Sequence, residues 1–399
     1  MKEIFSKRMK YVQPSAIREL LAMGAREDII SFGGGYPAPE LFPVEAMKVV
    51  FEDVMDRVGT KALQYSLTEG IPELREKIAA RMAKSGVPCE SDDVIVVQGG
   101  QQGLDLIAKL YINPGDVIIT EQPTFLGALI AFNPYEPQYK SIPMDEEGMR
   151  MDALEEALKE TPNVKLIYTV PDFHNPTGIT MSLERRKALI ALANQYGVVV
   201  IEDTPYREIR YEGTPIPPIK HFDTEGRVIY LGSFSKILAP GMRLGWVSAE
   251  QTILQKIGLL KLAADTQSST LNMYLAEGYM RLYDLDAHIE DIRTLYKKKK
   301  DLMVSIIQSE FPASVKYTNP EGGLFLWMTF PEEIRAEAFL KDHLIPKAKV
   351  AYVVGDGFYP LSPEYNHCRI NYSGASEEQI IKGMTAFGHL LKEQMKYGV

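Results

Sequence analysis

Short, continuously apolar runs alternate with longer amphipathic ones through the middle of the chain. Asp93–Gln98 (DVIVVQ), Asp116–Thr120 (DVIIT), Val164–Val170 (VKLIYTV), Val198–Asp203 (VVVIED), Val228–Ser233 (VIYLGS) and Leu244–Ala249 (LGWVSA) are brief and rich in β-branched residues. That pattern predicts strands buried on both faces. Between two of them, Ser182–Gly197 reads as a helix with Ser182 at its N-cap and Gly197 just past its end. Strand–helix alternation of this kind predicts an α/β domain with a mostly parallel sheet. From about Leu285 the pattern changes to one long helix, with Ile289, Ile292, Tyr296, Met303 and Ile306 at helical spacing. Its Lys297–Lys300 run reads as a solvated face. Gly322–Phe330 and Cys368–Ser373 predict further strands, in a smaller α+β domain. Near the start, helical patterning over Ser15–Met23 is followed by a Gly/Pro-rich loop, Ser31–Pro43.

Composition narrows the picture. The chain has 399 residues, 45% of them hydrophobic, which is ample for a core and allows two domains. A formal charge of −9 argues against a nucleic-acid partner. Cys89 and Cys368 form neither a disulfide framework nor a metal-ligand spacing, so a reducing, cytoplasmic setting and no metal are expected. The first residues are basic but hold no apolar stretch of signal-peptide length, and no apolar run is long enough for a membrane span.

Candidate chemistry collects at the predicted strand ends, where open α/β sheets bind ligands. QGGQQG, around Gly100 and Gln101, ends a strand and opens a helix, whose free N–H groups suit a phosphate. A tight turn without a ligand would use the same residues. No GxGxxG fits here, because position 98 is Gln98. Asp203 ends an apolar strand, as a helix cap or as a buried acid, and Tyr206 follows it. PDFHNPTG carries Asn175 in turn-like sequence; its His174 is assigned no catalytic part. In SFSKILAPGMRLGW, Ser233, Ser235 and Arg243 can hold a dianion beside Lys236. A phosphate next to a lysine suits pyridoxal 5′-phosphate (PLP), whose aldehyde forms a Schiff base with an amine. PLP further needs an acid at its ring nitrogen (Asp203), donors at its ring oxygen (Tyr206, Asn175) and a flat neighbour (Phe125). An amino-acid substrate needs an arginine for its α-carboxylate, for which Arg369 in HCRINYS is the candidate. Ser233–Lys236 also fits SxxK, but the SDN and KTG elements of penicillin-binding enzymes are absent.

Taken together, QGGQQGLDLI, PDFHNPTG, EDTPY, GSFSKILAPGMRLGW and CRINYS resemble the class I/II aminotransferases, fold-type I PLP enzymes. SAIREL, the Gly/Pro loop and GGQQGLDL are most similar to the 2-aminoadipate and kynurenine subgroup. The resemblance implies a large PLP-binding domain (44–290) with a mostly parallel seven-stranded sheet flanked by helices. A smaller α+β domain (1–43 and 291–399) would carry an N-terminal segment covering the substrate. It implies Lys236 as the Schiff-base lysine that then shuttles a proton, Asp203 at the pyridine nitrogen, and Asn175 and Tyr206 at the ring oxygen. Gly100, Gln101, Ser233, Ser235 and Arg243 would hold the phosphate, joined by Tyr65 from the neighbouring subunit of a homodimer. Arg369, with the backbone near Gly35 and with Asn175, would bind the α-carboxylate. Arg18 would meet a distal carboxylate or an aromatic side chain; a solvated helix arginine is the alternative. The stacking position, usually tyrosine in the subgroup, is Phe125. The implied activity moves an amino group between an L-amino acid (2-aminoadipate, aromatic or broader) and a 2-oxo acid such as 2-oxoglutarate. A PLP lyase acting on cysteine conjugates and a non-enzymatic amino-acid sensor are the alternatives.

Overall fold

The computed structural model describes residues 4–12 and 28–397; the helix expected over Ser15–Met23 and Arg18 lie outside them. A central sheet is built from β1 (Val94–Val97), β2 (Val117–Gln122), β3 (Gln138–Asp145), β4 (Gly148–Met149), β5 (Val164–Thr169), β6 (Val199–Asp203), β7 (Val228–Ser233) and β8 (Gly245–Ser248). Its spatial order is β1-β8-β7-β6-β5-β2-β3-β4. Neighbours from β7 through β3 run parallel; β8 is antiparallel to both β1 and β7, and β4 to β3. The sheet is thus mostly parallel, as expected, but has eight strands rather than seven. Two strands are missing from the hydrophobic pattern, the two-residue β4 and the longer β3, QYKSIPMD. β3 is largely solvent-accessible and carries Lys140 and Pro143, features suited to a strand near a sheet edge. A turn at Glu146–Glu147 then folds the two-residue β4 back upon it.

The continuous apolar runs are explained by burial on both faces. Consecutive residues such as Ile118 and Ile119, Leu166 and Ile167, or Ile201 and Val200 fall into two separate apolar clusters, one per face. The helix predicted from Ser182 is Leu183–Tyr196, with Ser182 at the N-cap position and Gly197 left-handed at its end. The Ser182 side chain, however, makes no capping bond to that helix.

The later strands Phe325–Thr329 and His367–Asn371 pair antiparallel in a second sheet, with Val353–Val354 and Lys316–Tyr317 at its edges. Ile30–Ser31 pairs with Val350–Ala351, so the Gly/Pro loop sits against the last third of the chain. The long helix is Leu285–Glu310, with the Asp284 side chain capping its start. Its lysine run is only half solvated. A helix turns about 100° per residue, so four consecutive residues cannot share one face. Lys299 and Lys300 point inward. The Lys299 amine donates to Glu40 at 2.7 Å and to the Ser373 carbonyl at 3.0 Å, while Lys300 meets Asp301 at 2.8 Å and Glu212 at 3.2 Å.

One buried ion pair fixes the loop after β5. Arg186, fully buried on the Leu183–Tyr196 helix, grips Asp172 at 2.8 and 3.2 Å, and Arg207 adds a third contact at 3.1 Å. Burial alone would raise the Asp172 pKa, but the two arginines override it and hold it at about 2. Asp172→Asn should therefore destabilise the fold by about 3–5 kcal/mol in urea unfolding at neutral pH. The wild-type contribution is complete above the ordinary aspartate value and fades only as pH falls through about 2. A D172N protein as stable as wild type would refute this.

Candidate active site

The strand ends meet on one rim. β1 and β7 point the same way, and β8 starts where they finish: Gly245 is in register with Val97 on one side and Ser233 on the other. Arg243, two residues before β8 and itself in the left-handed region (φ 53°), therefore lies beside the Gly99–Gly100 turn and the Ser233–Lys236 loop. Gly99 caps the helix Gly100–Tyr111 with φ 73°, and a side chain there would stand 2.8 Å from the Arg243 guanidinium.

Gly35, Gly100, Gln101, Phe125, Asn175, Asp203, Tyr206, Ser233, Ser235, Lys236, Arg243 and Arg369 all line one cavity of about 240 Å³. Tyr65 does not; it is 80% exposed on another part of the surface. Sequence reasoning missed Gly33, Gly34, Leu104, Pro205, Phe325 and Val353 in the same lining. Phe325 and Val353 lie on strands paired with the one that carries Arg369, a register no linear pattern displays.

A chain of hydrogen bonds crosses the cavity wall. Arg369 donates to Asn175 Oδ1 at 2.8 Å and to the Gly33 carbonyl at 2.7 Å, and Asn175 donates to the Tyr206 hydroxyl at 3.1 Å. The Arg369 guanidinium stacks on the rings of Phe325 (4.2 Å) and Phe358 (5.2 Å), and its Nε has no partner. Burial draws its pKa down to about 10. Lys236 donates to the Gly35 carbonyl at 2.7 Å. Burial, helped by the charges of Arg369 and Arg243, lowers its pKa to about 8.

At the cavity's base Asp203 is buried, and among the described residues no cation pairs with it. Tyr168 donates to its Oδ2 at 2.8 Å. Burial lifts its pKa to about 7 against that hydrogen bond, with the Glu121 charge adding to the rise. Such an acid is suited to a protonated ring nitrogen. Tyr168 escaped sequence analysis because it sits inside a strand and reads as core; Glu121 lies just past the apolar run Asp116–Thr120, and its approach to Asp203 is a tertiary fact. His174 is buried, 3.1 Å from Glu121 and 2.8 Å from the Thr177 hydroxyl. Among the described residues no group of His, Cys, Asp and Glu could hold a metal, and no helix is long and apolar enough to cross a membrane.

The Lys236 shift gives a direct test on the cofactor-free protein. A lowered pKa means the amine is neutral above about 8, where an ordinary lysine is still charged. The rate of Lys236 labelling by trinitrobenzenesulfonate, read by peptide mapping, should rise with a midpoint near pH 8. A midpoint at the ordinary lysine value of about 10.4 would contradict the assignment.

Comparison with known proteins supplies the context. The family "Aminotransferase class I and II" matches residues 30–387. An aromatic-amino-acid aminotransferase of Thermococcus litoralis is 43% identical over 98% of this chain and 95% of its own length. A 2-aminoadipate transaminase of Thermus thermophilus is 36% identical over 98% and 97%. The solved structure of a Pyrococcus horikoshii kynurenine aminotransferase, in complex with PMP, kynurenine and KYA, superposes with a TM-score of 0.94. It is 42% identical, with 99% of this chain and 98% of that one covered.

Proposed function

The chain belongs to the class I and II aminotransferases, and on that premise we propose how its own residues divide the work. It is a transaminase with fold-type I architecture that uses PLP, and the donor set around its cavity fits that cofactor. The observation that carries the reading is the convergence of a lysine of lowered pKa, an acid without a cation and a stacked arginine on one small cavity.

When bound, PLP supplies an electron sink for the charge left when substrate Cα loses its proton. Lys236 would hold the cofactor through its amine and would move the proton at Cα; its lowered pKa leaves more of that amine neutral near neutral pH than an ordinary lysine has. Asp203 holds the proton on the pyridine nitrogen. Tyr206 and Asn175 hydrogen-bond the ring oxygen, and Phe125 offers a flat face. Gly100 and Gln101, at the start of a twelve-residue helix, hold the phosphate together with Ser233, Ser235 and Arg243. Arg369 takes the substrate α-carboxylate, with the Gly35 backbone and Asn175 beside it. Replacing Arg369 by alanine should lower kcat/KM for every amino donor by roughly 10- to 100-fold, the worth of a charged hydrogen bond.

The substrate side chain meets Leu104, Phe125, Phe325 and Val353, an apolar lining suited to aromatic and other bulky donors. The cations lining the cavity, among the described residues, are Lys236, Arg243 and Arg369. All three already have parts in this reading, so the distal carboxylate of 2-aminoadipate or 2-oxoglutarate is assigned to Arg18.

We assign the working form to a homodimer, with Tyr65 reaching the partner's phosphate. The exposed Tyr65, Leu63 and Leu67, and Val44, Val49 and Phe51 on the helix Val44–Ala62, support this. The division into 44–290 and 1–43 with 291–399 is likewise our reading, supported by the pairing of Ile30–Ser31 with Val350–Ala351. A cytoplasmic setting accords with two unpaired cysteines.

The test is a visible absorption spectrum of the PLP-loaded protein. Phenylalanine, kynurenine and 2-aminoadipate should each bleach its band, and 2-oxoglutarate should restore it; Lys236→Ala should abolish the cycle. A band untouched by every donor would overturn the transamination reading. Arg18→Ala should slow 2-aminoadipate relative to phenylalanine, and equal rates would remove Arg18 from the site.

A further inference from the structure

We infer that the turn Asp265–Thr266–Gln267 is a positioning device serving two phosphate grips, the subunit's own Gln98–Arg243 rim and the Tyr65–Ser66 segment offered to its neighbour. The inference rests on the PLP and dimer reading above.

One side of the device is a relay of hydrogen bonds. Lys261, fully buried near the end of the helix Gln251–Asp265, holds both Asp265 carboxylate oxygens at 2.8 and 2.9 Å. Asp265 Oδ2 accepts from the Gln102 amide at 2.7 Å, and Gln102 Oε1 accepts from the Gln98 backbone N–H at 2.8 Å. The Gln98 carbonyl accepts from Arg243 Nη2 at 3.2 Å. The ion pair therefore fixes a glutamine in the first turn of the cradle helix and, through Gln98, one nitrogen of Arg243. A second tie runs from the Asn272 amide to the carbonyl of Met242, the residue before Arg243, at 3.0 Å.

The other side faces Tyr65. Thr266 has φ 65° and ψ −51°, and the Gln267 N–H donates to the Asp265 carbonyl at 2.7 Å, a three-residue turn. A β-branched residue adopts this conformation only where its surroundings impose it, and such strain gathers at functional sites. The turn sends Gln267 away from Asp265: its Oε1 accepts from the Ser66 backbone N–H at 2.5 Å, and its amide donates to Thr270 at 2.8 Å. The Thr270 hydroxyl in turn donates to Ser66 Oγ at 3.3 Å. None of Lys261, Asp265, Gln102 or Gln267 is assigned a contact with the cofactor; each acts through Arg243 or Tyr65.

The test separates phosphate positioning from general stability by comparing PLP with pyridoxal, which lacks the phosphate. Affinities for both are measured by absorbance titration of the full-length cofactor-free protein. Gln102→Ala keeps the Lys261–Asp265 pair, so it should fold even if Asp265→Ala does not. It should weaken PLP about 10-fold while leaving pyridoxal within about 2-fold, as expected for disturbing a bond to a charged group. Asp265→Asn, which can still accept from Gln102, should restore most of the affinity lost in Asp265→Ala. Gln267→Ala should weaken PLP when Tyr65 is present and have no further effect in Tyr65→Ala. Equal losses for PLP and pyridoxal in Gln102→Ala, or additive effects of Gln267→Ala and Tyr65→Ala, would overturn the inference and leave the function reading intact. A wild-type protein that binds PLP no better than pyridoxal would instead overturn the function reading itself.

Discussion

Everything at the cavity depends on three strand ends lying flush at Gly245. β8 enters the sheet antiparallel between β1 and β7, so its first residue sits level with the last residues of both neighbours. A side chain at Gly245 would meet the Gly232 carbonyl at 2.8 Å and the Gly100 N–H at 3.1 Å. Only bare backbone lets the strand-end turns approach one another so closely. Lys236 and Arg243 come from the hairpin side of this junction and Gly100–Gln101 from the helix side. One register thus sets their spacing.

Charge then organises the site. Asp203, buried without a cation among the described residues, is supported by Tyr168; Lys236, Arg243 and Arg369 line the same cavity, where burial, helped by the two arginines, lowers the affinity of Lys236 for its proton. Mutual repulsion among three cations would push them apart. Backbone carbonyls offset it: Gly33 for Arg369, Gly35 for Lys236, Gln98 and Pro240 for Arg243. The rings of Phe325 and Phe358 shield the Arg369 guanidinium without neutralising it.

Much of this was legible in the sequence, for physical reasons that differ by residue. Strands buried on both faces leave uninterrupted apolar runs, so β1, β2 and β5–β8 could be read directly, and the polar residues just beyond them stood out. β3 was hidden because an accessible strand has no such run. Lys299 and Lys300 were hidden because four like charges in a row look solvated until the helix has something acidic to turn towards. Tyr168 acts from inside a strand, where side-chain type alone does not separate a core position from one that faces a buried carboxylate; Glu121 lies just past an apolar run, and nothing local shows that its charge bears on Asp203. Phe325 needed the antiparallel pairing with the Arg369 strand, which is a tertiary fact. Tyr65 was reachable only through resemblance; a single exposed tyrosine carries no signal of its own.

The Gly33–Gly35 strip has a consequence for how the protein is made. It sits near the start of the chain, yet what holds it comes from close to the end: Val350–Ala351 pairs with Ile30–Ser31, Arg369 grips Gly33, and the Ser373 hydroxyl bonds the Tyr36 carbonyl. On a ribosome Gly35 can meet Lys236 about two hundred residues later, but Ile30–Ser31, Gly33 and Tyr36 must wait for their partners while more than three hundred residues follow. The sheet and its strand-end turns can settle during that interval, but the strip that caps them cannot. The wall of the cavity that this strip forms is therefore completed only after the Val350–Ser373 segment has been made, later than the sheet itself can close.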